Sequence, residues 1–317
     1  MSATLSHALP WRRRLFTAAG LALLGTGGCS LRPGADHDGD DAPAALALRT
    51  RPRVAWVFGS GGPRGFVHVG VVKALAALDL HPDLIVGASA GAVVGVLVAA
   101  GLPAAQIEAL ALELRPWQLL RLTLAGNTWF SGEALADLLR TALLPRVGSM
   151  RIEHLPTPFA AAAQRLPAGP VVAFTHGDIG TAVRASAAVE GELAPVRIRG
   201  VLYGDPDLHM PLPVRLARSL GAERVLAVDV SAYEDRAPPG TEAWREGDLR
   251  KRALTRPDAE LADLLLHPDT GYYAGFNRAY RERCIAVGLR DTLAAAAALQ
   301  ALHAHAASGA ASARKPG

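Results

Sequence analysis

The chain is poor in cysteine, in aromatic side chains and in long apolar runs. Cys29 and Cys284 are the only cysteines among 317 residues, and Phe, Trp and Tyr together make up 5%. Two cysteines imply no disulfide framework, and Cys284 reads as a small core residue. Acidic residues are missing from the first 28 positions, which carry Arg12, Arg13 and Arg14. Taking those three from the 33 basic residues, against 29 acidic ones, lowers the formal charge from +4 to +1. The basic balance therefore belongs to a leader, which argues against nucleic acid as a partner. No internal repeat is visible, which argues against a solenoid.

What the N-terminus does contain is a basic start and an uncharged run from Leu15 to Leu31. That run is short for a transmembrane helix and ends in small residues, the pattern of an export signal over residues 1–28. The stretch "RRLF" (13–16) resembles the core of a twin-arginine signal. Cys29 follows Gly27-Gly28 and resembles the lipidated cysteine of bacterial lipoproteins, although Thr26 stands where leucine is usual. Lipidation at Cys29 predicts attachment to the bacterial envelope, facing the periplasm, with the outer membrane favoured because no acidic residue follows the cysteine directly. Residues 29–52, rich in Asp, Gly, Pro and Ala, read as a flexible tether. His37 and its neighbouring aspartates form no convincing metal site there, because nothing nearby would fix ligand geometry.

From Arg53 the pattern changes. "VAWVF" (54–58) and "LIVGA" (84–88) read as buried strands, and residues 66–80 and 90–101 as the helices that follow them. A β-α-β-α start predicts an α/β fold with a mostly parallel central sheet flanked by helices. Further strands are expected at 171–174, 197–203 and 224–230, helical segments over 104–145, a surface loop over 234–252 and a terminal helix over 291–307. The catalytic domain would span residues 53–307, and residues 308–317 a disordered tail. Trp117, Trp129 and Phe130, in an apolar stretch, could line an acyl-chain lip or simply pack in the core.

Two motifs carry chemistry. "GSGGPRG" (59–65) joins the first strand to the first helix. A dinucleotide fingerprint fails, since its third glycine falls due at Arg64, and a phosphate-binding loop fails for want of Gly-Lys-Ser/Thr. An oxyanion hole remains: the N–H groups of Gly61 and Gly62 can face a cleft, with Arg64 adding charge or orienting the loop. A tight turn alone would account for two of the four glycines. The second motif is Gly87-Ala88-Ser89-Ala90-Gly91, a G-x-S-x-G between strand and helix, where a serine sits exposed on a sharp turn as a nucleophile.

Together these motifs resemble the patatin-like phospholipase family. Gly61-Gly62-Pro63-Arg64-Gly65 and Gly87 to Gly91 match its glycine loop and nucleophile. Residues 182–196 are similar to its Ala-Ser-x-Ala-x-Pro segment, and "GDPDLHMPLPV" (204–214) to its Asp-Gly-Gly stretch. The resemblance covers roughly residues 53–300. It implies a patatin-like, α/β-hydrolase-related fold with a nucleophile elbow, and a Ser-Asp dyad in which Ser89 attacks and Asp205 is the base. It implies a lipid acyl hydrolase acting on phospholipids or other acyl esters, without metal or nucleotide cofactor. A histidine triad in the order Ser, Asp, His would have to draw on His209, His267, His303 or His305, and His209 lies nearest Asp205. Three departures stand out. Ser60 replaces a loop glycine, Glu190 a proline, and Asp205-Pro206-Asp207 replaces Asp-Gly-Gly. The last favours an alternative, a catalytically weakened lipid-binding or scaffold lipoprotein, because proline restricts Asp205 and Asp207 adds a second negative charge.

Overall fold

The computed structural model describes residues 35–114 and 130–312, the last eight by backbone only. The leader, Cys29, Trp117 and Trp129 lie outside the described residues. Eight strands form one sheet: β1 (Val54–Phe58), β2 (Leu84–Ala88), β3 (Phe159–Arg165), β4 (Val171–Phe174), β5 (Val196–Ile198), β6 (Val201–Gly204), β7 (Arg224–Val228) and β8 (Leu264–Leu266). The central run β3-β2-β1-β7-β8 is parallel throughout. β4 and β6 add antiparallel pairings to β3, and β5 pairs with β6.

Side chains alternate across this sheet. Val54, Trp56 and Phe58 of β1 enter one core cluster, while Ala55 and Val57 enter a second on the opposite face. The first face is covered by α1 (Phe66–Ala77), α2 (Ala90–Ala99), α3 (Ala104–Glu113), α4 (Glu133–Val147) and α5 (Ile179–Ser186). The second is covered by α6 (Val214–Ser219) and by Ala259 at the end of α7 (Arg245–Ala259). α8 (Arg278–Ala294) packs on α1, and α9 (Ala296–Ser312) follows it. With both faces covered, β1 and β2 are buried at every position, so they read as continuous apolar runs.

Several local expectations change. β3, "FAAAAQR", is a central strand built on alanine, a residue with little strand preference of its own. Residues 197–203 form a hairpin, β5 and β6, turning at Arg199 and Gly200, both at positive φ. The expected loop over 234–252 contains the first half of α7, and the expected terminal helix is divided at Ala295. Residues 308–312, expected in the tail, continue α9. Part of the expected tether lies against the domain: the N–H of His37 donates to the Arg197 carbonyl and that of Ala44 to the His176 carbonyl, and Ala42 is buried.

Candidate active site

Strand register brings the site together. Ala161 and Ala162 of β3 pair with both β2 and β4, so those two strands flank β3 on opposite edges. Gln164 pairs with both β4 and β6, so β6 runs along the β2 edge, just past the end of β2. β2 stops with Ala88 opposite Ala162, and β6, running the other way, stops with Gly204 opposite Gln164. The next residues on each strand, Ser89 and Asp205, therefore meet across one gap.

Ser89 holds φ 53° and ψ −122° between β2 and α2, the strained elbow that the motif anticipates, and is 6% exposed. Glycine is needed at 91 because a Cβ there would lie 2.2 Å from the Phe58 carbonyl oxygen. α2 begins at Ala90, so the positive end of its dipole faces the serine. The glycine loop closes on the elbow from the other side: a Cβ on Gly65 would lie 2.4 Å from that of Ala90. Among the described residues, the N–H groups of Gly61 and Gly62 have no hydrogen-bond partner. Arg64 Nη2 donates to the carbonyl of Tyr272, which fits the loop-orienting alternative.

Asp205 is a half-buried residue with an enclosed carboxylate. Oδ1 accepts from the N–H of Asp207 at 2.8 Å, while Oδ2 is buried without a hydrogen-bond partner of regular geometry. Burial pushes its pKa up to about 7, the negative charge of Asp207 pushes the same way, and the Ser89 hydroxyl and Lys251 oppose the rise. Pro206 fits without distortion. Asp205 has φ −61° and ψ 132°, the extended form expected before proline, and Pro206 opens a short 3-10 turn, Pro206–Leu208, where its missing N–H is no loss. Asp207 turns aside: its Oδ1 lies 2.6 Å from Lys251 Nζ and accepts from the Ser60 hydroxyl.

Among the described side chains, no candidate histidine bonds Ser89 or Asp205. His209 is exposed, its ring bonded to neither Ser89 nor Asp205. His267 bonds the Ser231 carbonyl at 2.9 Å and stacks on Tyr233. His303, expected exposed, is half-buried and receives the indole N–H of Trp56 at 3.3 Å. The side chain of His305 lies outside what the structure describes.

Three residues of the site were not foreseen. Ser186 Oγ accepts the backbone N–H of Ser89 at 2.9 Å, and the carbonyl of Ala188 accepts that of Asp205 at 3.0 Å. The last residue of α5 and the segment just after it thus hold both members of the pair. His68, fully buried, has its pKa lowered to about 4 by desolvation, so it is neutral and its Nε2 donates to the Gly59 carbonyl at 2.8 Å, bracing the glycine loop. The small residues of "AVRASAAV" and a histidine one turn into α1 were the available signals. A cavity of about 150 Å³ bounded by His37, Asp41, Arg140 and Asp178 lies under the docked N-terminal segment, and neither Ser89, Asp205 nor the glycine loop lines it.

Comparison with known proteins places this geometry in a class. Residues 56–218, just over half of the chain, match the family model for patatin-like phospholipase, and the chain belongs to that family. An uncharacterised NTE family protein of Mycobacterium tuberculosis is 37% identical over 210 residues, which are 64% of this chain and 58% of that protein. Human patatin-like phospholipase domain-containing protein 6 is 31% identical over 211 residues, 63% of this chain and 15% of that protein. The match thus spans less than two thirds of either relative. Among solved structures, VipD from Legionella pneumophila superimposes with a TM-score of 0.52 at 12% identity, covering 87% of this chain and 72% of that one.

Proposed function

We propose that the chain is a serine acyl hydrolase of the phospholipase A, lysophospholipase or esterase type, working through a Ser89–Asp205 dyad. The observation that carries this reading is the meeting of a strained serine with an enclosed, partner-poor carboxylate beneath a loop of free N–H groups. In the first half-reaction Ser89 Oγ bonds to the ester carbonyl carbon and its proton passes to Asp205. The carbonyl oxygen becomes an oxyanion and takes the N–H groups of Gly61 and Gly62, with the α2 N-terminus adding positive potential. Collapse breaks the ester C–O bond, and Asp205 returns the proton to the leaving alcohol. Water then attacks the acyl-enzyme, giving its proton to Asp205, and the carboxylic acid leaves as Ser89 recovers its hydrogen. A pKa near 7 suits this exchange, since a carboxylate of ordinary acidity is a poor base toward a hydroxyl.

Acyl lipids are the proposed substrate class. Cys29 is the proposed lipid anchor, which would hold the domain at the envelope membrane that contains them. The test is ester turnover by four proteins whose folding is checked by circular dichroism. Ser89→Ala should lose at least ~10³-fold, while His209→Ala and His267→Ala should stay within about threefold of the parent. Undiminished turnover in Ser89→Ala would refute the nucleophile.

A further inference from the structure

Ser60 and Asp207, two of the three places where the chain departs from the family pattern, touch each other. The Ser60 hydroxyl donates to Asp207 Oδ1, and the same oxygen takes Lys251 Nζ at 2.6 Å. Lys251 Nζ also lies 3.5 Å from the Ser60 carbonyl oxygen, and the Ser60 N–H donates to the Pro211 carbonyl at 2.7 Å. Lys251 comes from α7, beyond the span matched to the family. α7 is itself fixed, because the fully buried Asp258 accepts the backbone N–H of Arg215 and receives its guanidinium at 3.0 and 2.8 Å. The lysine is thus carried on a rigid element to the point where the glycine loop meets the turn of the base.

We propose that Lys251 is a positioning residue of the site: with Asp207 and Ser60 it locks the glycine loop to the turn that carries Asp205 and neutralises the extra carboxylate beside the base. The inference rests on the dyad reading above. Without Lys251, the Asp207 carboxylate two residues from Asp205 would lose the ammonium that lies 2.6 Å from its Oδ1, and Asp205 would hold its proton to higher pH. The charged groups acting on Asp205 are Asp207 on its own turn and Lys251 from α7, with the Ser89 hydroxyl facing it from the elbow. β3, also packed on this turn, carries no charge before Arg165 at its exposed end, and Arg64 of the glycine loop is turned to Tyr272.

The test is kcat/KM against pH on p-nitrophenyl butyrate for Lys251→Met, Lys251→Arg, Asp207→Asn and the Lys251→Met/Asp207→Asn double variant, beside Ser89→Ala and Asp205→Asn. Lys251→Met should move the rising limb upward by about one pH unit, a tenfold loss on that limb. Lys251→Arg, which keeps the cation, should restore the limb, and Asp207→Asn should move it downward. In the Asp207→Asn background, Lys251→Met should cost less than about threefold, because the carboxylate it neutralises is gone. A limb unmoved in both Lys251→Met and Asp207→Asn, or an equal cost of Lys251→Met in both backgrounds, overturns the proposal. Should Lys251→Met fail to fold, an unmoved limb in Asp207→Asn decides against it alone. Full turnover by Ser89→Ala and Asp205→Asn would instead overturn the dyad reading, whatever Lys251 does.

Discussion

Asp205 carries a conflict that a single substitution can expose. Its carboxylate is enclosed, with one oxygen lacking a hydrogen bond of regular geometry, so the folded chain holds its proton to about pH 7, against 3.8 for the free side chain. A folded pKa above the unfolded one means that the folded state binds the proton more tightly. Stability contributed by that proton is complete below about pH 4 and is lost as pH rises through 7, up to about 4 kcal/mol in all. Activity has the opposite slope, because the ionised form is the proposed base. Asp205→Asn should therefore raise the melting temperature at pH 8 by several degrees, leave it almost unchanged at pH 4, and remove ester hydrolysis. Thermal scans of both proteins at the two pH values check this. A variant less stable than the parent at pH 8 would mean that the charge is better compensated than burial implies. His68 is a quieter case at the same scale: buried and neutral, it braces the Gly59 carbonyl, so its value lies in geometry rather than titration.

At the scale of elements, the elbow is the tightest junction. Gly91 at the start of α2 approaches the end of β1 so closely that Gly91→Ala must push helix from sheet, since a backbone carbonyl, not a flexible side chain, is in the way. The expected cost is about 3 kcal/mol, read as a lower urea midpoint at unchanged m-value. A midpoint shift worth under about 0.5 kcal/mol when multiplied by the m-value would show that the junction has room. This junction was legible beforehand, because strand-glycine-serine-helix is a local pattern. Other elements were not. β3 is four buried alanines in a row, and nothing in such a run announces a strand. α7 is so polar that its charges read as a loop; Asp258 and Thr255 are its buried residues, and the Asp258 ion pair with Arg215 ties it down. Ser60 and Asp207 were visible as oddities 147 residues apart, but only the fold shows that they bond to each other and to Lys251.

For the whole molecule, the sheet acts as a register that delivers chemistry from remote parts of the chain. Ser89 and Asp205 meet because β2 and β6 stop on one edge of β3, Ser186 and Ala188 hold both backbones, and Lys251 arrives from a helix on the far face. The nucleophile and the oxyanion loop are short local signatures, and the base followed from the resemblance to the family; the braces are single residues with no signature. The proposed anchor extends this picture to the membrane. Cys29→Ser should block maturation and move the protein out of the detergent phase on phase separation, and a mature N-terminus other than Cys29, read by mass spectrometry, would refute lipidation there. The central claim, a serine activated by Asp205 without histidine, is tested most directly by labelling with a fluorophosphonate, which reacts with an activated serine. The account predicts one adduct on Ser89 in the parent protein, at least ~100-fold slower labelling in Asp205→Asn, and a near-parental rate in His209→Ala. Labelling of Asp205→Asn at the parental rate beside an unreactive His209→Ala would contradict it.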